Sequence, residues 1–287
     1  MNVGVLGTGG VGGALAVRLA STGNRVTCVA TPLTVAAIRE NGLVLEWQGE
    51  PTVAHPEASE ALEDPVDLLL VAVKAPDLEL ALDRVLAEPA VALPLLNGLE
   101  HLAVLRRELG PRVAAGSIRI EAHKRERNVV VQDSPFTIVR MASDDVPLEA
   151  TAEALEAAGI ETQVETGEKG VLWWKAARLA ALAPATAITQ RPVGELRDDA
   201  EWRPRLEAAI EEACAVATAD GAGTTPAAQW AIIDSMPHDL SSSAARDVAA
   251  GRPSELDAIT GAVIRAGERL GVATPTLQAL LAECPRP

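Results

Sequence analysis

Three glycines, one lysine and one glutamate carry most of the chemistry that this sequence can express. Gly7, Gly9 and Gly12 stand at G-x-G-x-x-G spacing inside Gly7-Thr8-Gly9-Gly10-Val11-Gly12. That spacing suits a pyrophosphate. The first glycine allows a tight bend, the second lets the backbone approach the phosphates, and the third lets the next helix pack closely on the preceding strand. Backbone N–H groups at the positive end of that helix would meet the phosphates. Lys175 is one of only two charged residues between Val171 and Gln190, the other being Arg178. A lysine in so apolar a helix can extend along it to water. Alternatively it faces a cleft, where burial lowers its pKa from ~10.4 toward a range useful for proton donation. Glu255 follows Ser254, which fits an N-cap, so its carboxylate falls in the first turn of a helix. The helix dipole favours the anion there. Glu255 is then a charged partner that orients another group, or a plain dipole-favoured surface glutamate.

Elements must bring these residues into position. From Met1 to about Glu165 the chain alternates strand-like and helix-like runs, the pattern of a parallel sheet with crossover helices. Val3, Val5 and Leu6 read as a buried strand leading into the glycine turn, and Ala14, Val17 and Leu19 follow at helical spacing. Residues 25–30 read as the second strand, and the helix after them ends at Gly42. Residues 43–47 and 52–54 suit short extra strands. Residues 67–74 are apolar as a strand buried on both faces should be, and Pro76 opens the next helix. The run VALPLL ends at Asn97-Gly98, with a helix from about Leu99. Residues 112–142 are rich in β-formers, and a helix near 148–158 and the strand ETQVE close this half.

Ligands of such a sheet bind beyond the carboxyl ends of its strands. That rule singles out Lys74, Asn97 and the Ala30-Thr31-Pro32 segment. An acid at Thr31 would bind a ribose hydroxyl and repel a 2′-phosphate. Neither acid nor arginine is present, so NADP is tolerated without being positively selected. Lys74 reads equally as a solvated loop lysine, and Asn97-Gly98 as an ordinary turn. The run HKRER at 123–127 reads as a solvated loop, and Trp173 with Trp174 as packing.

From Lys169 onward helix follows helix. The segment around Lys175 should be buried all round, with Pro184 kinking it or removing a hydrogen bond. Thr225-Pro226, Ser254 and Thr274-Pro275 mark later helix starts. The break falls near Thr166-Gly167, giving a domain of residues 1–166 and one of 167–287.

A net charge of −15 argues against nucleic-acid and anionic-membrane partners. The 287 residues are 48% hydrophobic and 23% charged, ordinary for a globular protein with a sizeable core. Cys28, Cys214 and Cys284 are odd in number and far apart, which fits a reduced, cytoplasmic setting. No metal-ligand pattern, membrane-length apolar run or signal peptide is legible. The absence of tyrosine removes one common catalytic acid.

Taken together these residues resemble the ketopantoate reductase (2-dehydropantoate 2-reductase) family. The likeness runs in ordered blocks: GTGGVG, VAVK ending at Lys74, LLNG containing Asn97, WWK containing Lys175, and the long block at 241–275. It implies an α/β fold, with an N-terminal Rossmann dinucleotide-binding domain followed by an all-α domain like the C-terminal domain of 6-phosphogluconate dehydrogenase. NADPH is the implied cofactor, NADH not being excluded, and the implied partner is a small 2-oxo acid lying with it between the domains. By the same resemblance Lys175 matches the general acid and Glu255 its partner. Gly7, Thr8, Gly9, Gly10, Val11, Gly12, Thr31, Lys74 and Asn97 fall on the cofactor side, and Asn97, Lys175, Ser243 and Glu255 on the substrate side. The implied reaction is ketopantoate to pantoate, in pantothenate biosynthesis, and a homodimer is compatible with it. Leu179, Ala183 and Val193 depart from the family, which usually has asparagine there, and Thr31 replaces a frequent arginine. Two alternatives therefore stand: a related hydroxy- or amino-acid dehydrogenase acting on a less polar substrate, and a nucleotide-binding sensor without catalysis.

Overall fold

The computed structural model describes residues 1–285 and divides into two compact units. One unit is Met1–Leu96 with His101–Val171, and the other is Asn97–Glu100 with the chain from Leu172 onward.

The first unit is built on β1 (Asn2–Leu6), α1 (Gly10–Ser21), β2 (Arg25–Val29) and α2 (Pro32–Asn41). Short strands β3 (Leu43–Glu46), β4 (Thr52–Ala54) and β5 (Glu57–Ser59) follow. Next come β6 (Leu68–Val71), α3 (Leu78–Leu82), β7 (Val91–Pro94) and α4 (His101–Leu109). The unit closes with β8 (Ala115–Arg119), β9 (Ala122–Glu126), β10 (Val129–Gln132), β11 (Ile138–Ala142), α5 (Glu149–Ala157) and β12 (Glu161–Val164). The main sheet runs β5-β2-β1-β6-β7 with every pairing parallel. Val5 lies between Cys28 and Leu70 in this register, so the central strands are apolar on both faces. Val3, Val5, Leu15 and Leu19 share one core with Val130 of a second sheet, ordered β4-β3-β10-β9. A third sheet is ordered β12-β11-β8.

Four details differ from the sequence reading, the first being that β7 stops at Pro94 and does not run on through Leu96 to Asn97. β6 ends at Val71, not Lys74, because the chain there skirts the glycine turn; a Cβ on Gly7 would lie 2.6 Å from Val73. β5 is an additional three-residue edge strand. The HKRER run is not a loop but most of β9, paired antiparallel with β10. Its polar residues have weak strand propensity, and pairing with the apolar β10 overrides it.

The second unit takes α6 (Glu168–Thr189) from Leu172 onward, then α7 (Val193–Asp198), α8 (Trp202–Ala219) and α9 (Pro226–Asp234). It continues with α10 (Ser243–Ala249), α11 (Ala262–Leu270) and α12 (Pro275–Glu283). Trp173, Leu206, Ile210, Val263 and Leu277 lie in its core. A π-helical turn, Asp257–Gly261, leads directly into α11. Pro184 lies inside α6, and the helix continues through it. Proline has no N–H to give the carbonyl four residues back, that of Ala180. The buried Thr260 hydroxyl of the π turn donates to that carbonyl at 3.0 Å instead. No helix among the described residues is long and apolar enough to cross a membrane.

Candidate active site

The glycine turn of the first unit is shaped by close approach. Gly7 has φ +92°, a conformation that disfavours any side chain, and its N–H donates to the Val29 carbonyl at 3.0 Å. A Cβ on Gly12 would lie 2.0 Å from the Gly7 carbonyl oxygen, so only glycine lets α1 start this near β1. Gly10 is equally confined, its would-be Cβ lying 2.2 Å from the Ala122 oxygen of β9. Gly9 is the opposite case. It occupies the N-cap of α1 at φ −72°, no side chain caps the helix, and a Cβ there would meet nothing within 4 Å. The space at Gly9 is thus open at the N-terminus of α1, whose first-turn N–H groups have no intrahelical acceptor, next to the buried Thr8. This cradle fits a pyrophosphate: helix-end donors, positive dipole and room for the ligand coincide.

Thr31 stands at the N-cap of α2 and donates from Oγ1 to Oγ1 of the buried Thr34 at 3.2 Å. Lys74 is exposed and precedes a short 3-10 turn, Ala75–Asp77, its carbonyl accepting from the Asp77 N–H at 3.0 Å.

In the second unit the ionisable residues converge. Asn97 and Gly98 belong here although the strand before them does not. Gly98 has φ +95°, and a Cβ on it would lie 2.2 Å from the Ala258 carbonyl of the π turn. That close approach brings Asn97 to Glu255, the amide Nδ2 donating to Oε2 at 3.1 Å. Asn97 Oδ1 is buried with no hydrogen-bond partner among the described residues. Glu255 is buried, and its carbonyl accepts the first helical bond, from the Ile259 N–H at 2.9 Å. Glu255 thus occupies the helix start itself, which the sequence reading had given to Ser254. The π turn Asp257–Gly261 begins two residues further on.

Lys175 is half-buried, and its pKa is lowered to about 8. Desolvation is the main cause, repulsion from Arg178 adds to it, and the Glu255 carboxylate opposes both. Arg178 is buried one helical turn on, donates to the Trp174 carbonyl, and reaches Gln229 Oε1 at 3.4 Å. Gln229 is held in turn by Thr224 Oγ1 at 2.7 Å. Arg178 is a residue whose role the sequence left unread, although it was the second charge in that apolar run. Trp173 is core, donating to Asp220 at 2.8 Å.

Ser243 is exposed at the start of α10 and makes none of the recorded bonds that join Asn97 and Glu255. The adjacent Ser242 caps α10 and meets Thr186 Oγ1 at 2.7 Å. Leu179, one turn beyond Lys175, packs with Ala183, Leu256 and Ile259, while Val193 joins the core. The side of α6 that carries Leu179 and Ala183 is therefore apolar.

The family profile described as Ketopantoate reductase PanE/ApbA matches residues 3–142, and its companion, Ketopantoate reductase PanE/ApbA C terminal, matches residues 169–284. A 2-dehydropantoate 2-reductase of Vibrio cholerae is 30% identical over 98% of this chain and 95% of its own. The crystal structure of a PanE/ApbA family ketopantoate reductase from Ralstonia eutropha superposes with a TM-score of 0.88 at 31% identity, covering 98% of this chain and 96% of that one. A D-mandelate dehydrogenase solved with NADH and anilino(oxo)acetate has the same fold, with a TM-score of 0.90 at 22% identity and coverage of 99% and 96%. The parallel sheet is accordingly Rossmann-like and the helical unit is the family's C-terminal domain. The chain belongs to the ketopantoate reductase family, oxidoreductases that act on CH–OH groups.

Proposed function

We propose that the protein reduces a small 2-oxo acid to the 2-hydroxy acid with NADPH, ketopantoate being the first candidate. The carrying observation is the grouping in the helical unit: a lysine with a pKa of about 8 in the field of a buried glutamate that is itself bonded to Asn97. A sensor would have no use for it. Dihydronicotinamide, when bound, supplies a hydride. The Gly7–Gly12 turn holds its pyrophosphate, with Thr31 at the ribose and Lys74 along the cofactor. Lys175 gives its proton to the carbonyl oxygen as the alkoxide develops, and a pKa near neutrality suits a general acid. The Glu255 side chain orients Lys175 or a substrate hydroxyl. The unpartnered Asn97 Oδ1 accepts from the ligand, with Ser243 closing the substrate side. The buried free cysteines suit a reducing cytoplasm.

A second reading is favoured by Leu179 and its apolar neighbours. They offer no hydrogen bonds one turn from Lys175, which suits a 2-oxo acid or related hydroxy- or amino-acid substrate with an apolar side chain. NADPH consumption over a panel of 2-oxo acids, ketopantoate included, tests both. Lys175→Ala should lower kcat by roughly 10²–10⁴-fold with coenzyme affinity retained. Glu255→Gln should also slow turnover, and the double variant should lose less than the product of the two. A Lys175→Ala enzyme with the parent's rate would refute the assignment.

A further inference from the structure

The chain carries a net charge of −15, yet Lys124, Arg125 and Arg127 stand close together in and just after β9 of the first unit. β9 lies against the glycine turn and sends Lys124 toward the start of α2, where Nζ is 3.4 Å from Thr34 Oγ1. Thr34 is the residue that Thr31 already meets. Lys124 also acts electrostatically on Cys28, near the end of β2. Its neighbour Arg125 is neutralised by Glu46, with one bond at 2.7 Å. No carboxylate pairs with Lys124 among the described residues, and Arg127 repels it. Desolvation of its ammonium end and that repulsion lower its pKa. An anion would relieve both effects. In a dinucleotide-binding sheet, the end of β2 is where the adenosine ribose lies, and a cation there accommodates a 2′-phosphate.

We propose that Lys124, carried on β9, binds the 2′-phosphate of NADPH together with the hydroxyls of Thr31 and Thr34. The proposal rests on the nicotinamide-coenzyme reading above and adds how this chain selects between the two coenzymes. A point charge supplied from a distant strand then does the work that the end of β2 leaves undone, Thr31 being neutral. The position is well fixed. Gly10 and Gly13 press directly on Ala122 of β9 and Val130 of β10, so the strand pair cannot drift from α1.

Titration calorimetry with NADPH, NADH, adenosine 2′,5′-bisphosphate and adenosine 5′-monophosphate tests this without any oxo acid. The parent should bind NADPH more tightly than NADH, and the bisphosphate more tightly than the monophosphate. Lys124→Met should weaken NADPH and the bisphosphate by roughly ten- to a hundredfold, the worth of one charge-assisted bond. NADH and the monophosphate should be unaffected, and Lys124→Arg should restore most of the loss. Lys124 is exposed, so folding should survive these changes. Equal losses for both coenzymes overturn the proposal and leave the NADPH reading intact, whereas a parent that prefers NADH overturns the proposal and replaces NADPH by NADH in the proposed reaction. A parent that binds neither coenzyme overturns that reading itself.

Discussion

Arg178 and Lys175 are one helical turn apart, and a guanidinium cannot give up its charge to relieve the repulsion. Gln229 and the Trp174 carbonyl hold it in place, so the lysine bears the cost and releases its proton more readily. If Lys175 must be protonated to act, activity falls as pH rises through its pKa of about 8. Arg178→Gln should move that limb upward by about one unit, and Arg178→Lys should move it far less. The pH profile of kcat for the three enzymes checks this, and an unmoved limb with slower turnover would make Arg178 merely structural. Lys175 itself was legible in the sequence because a charge in an apolar helix is conspicuous. Its environment was not. Asn97 and Glu255 are 158 residues apart, and nothing local in either segment announces their bond.

At the scale of elements, the π turn and the proline in α6 are two halves of one arrangement. Pro184 leaves the Ala180 carbonyl without its helical donor, and Thr260 supplies a hydroxyl. Thr260→Val keeps the shape and removes the donor, leaving a buried carbonyl unpaired. It should cost about 1–3 kcal/mol, read as a lowered denaturant midpoint with unchanged slope. Parent-like stability would show that water or a backbone shift replaces the hydroxyl. The proline was readable as a defect in the helix, but its remedy came from a turn 76 residues later, which periodicity cannot reveal. β9 failed for a related reason. Lys124, Arg125 and Glu126 gave no apolar alternation, and only the partner strand made them a strand. Where strands were apolar on both faces, as in β1 and β6, pattern alone sufficed.

For the whole molecule, pH acts through a residue outside the chemistry. His101 opens α4, is buried, and has both ring nitrogens unpartnered among the described residues. Burial lowers its pKa from 6.5 to about 4. The unfolded chain therefore takes up a proton that the folded one refuses. Stability from this residue is full above about pH 6.5 and declines as pH falls toward 4, by roughly 3 kcal/mol in all. His101→Leu should flatten the loss of melting temperature over that range. Equal acid sensitivity in the two proteins would assign it to other groups.

The four residues Asn97–Glu100 are encoded in the first half of the gene but fold with the second. Gly98 rests on Ala258, Asn97 bonds Glu255, and Glu100 pairs with Arg265 at 2.8 Å. Heredity should treat them accordingly. A recombinant that joins one relative's first 166 residues to another's helical half inherits the lysine and glutamate from one parent and the asparagine from the other. The more their π turns have diverged, the worse that mosaic should work, and carrying these four codons across with the helical half is the smallest graft that makes it whole.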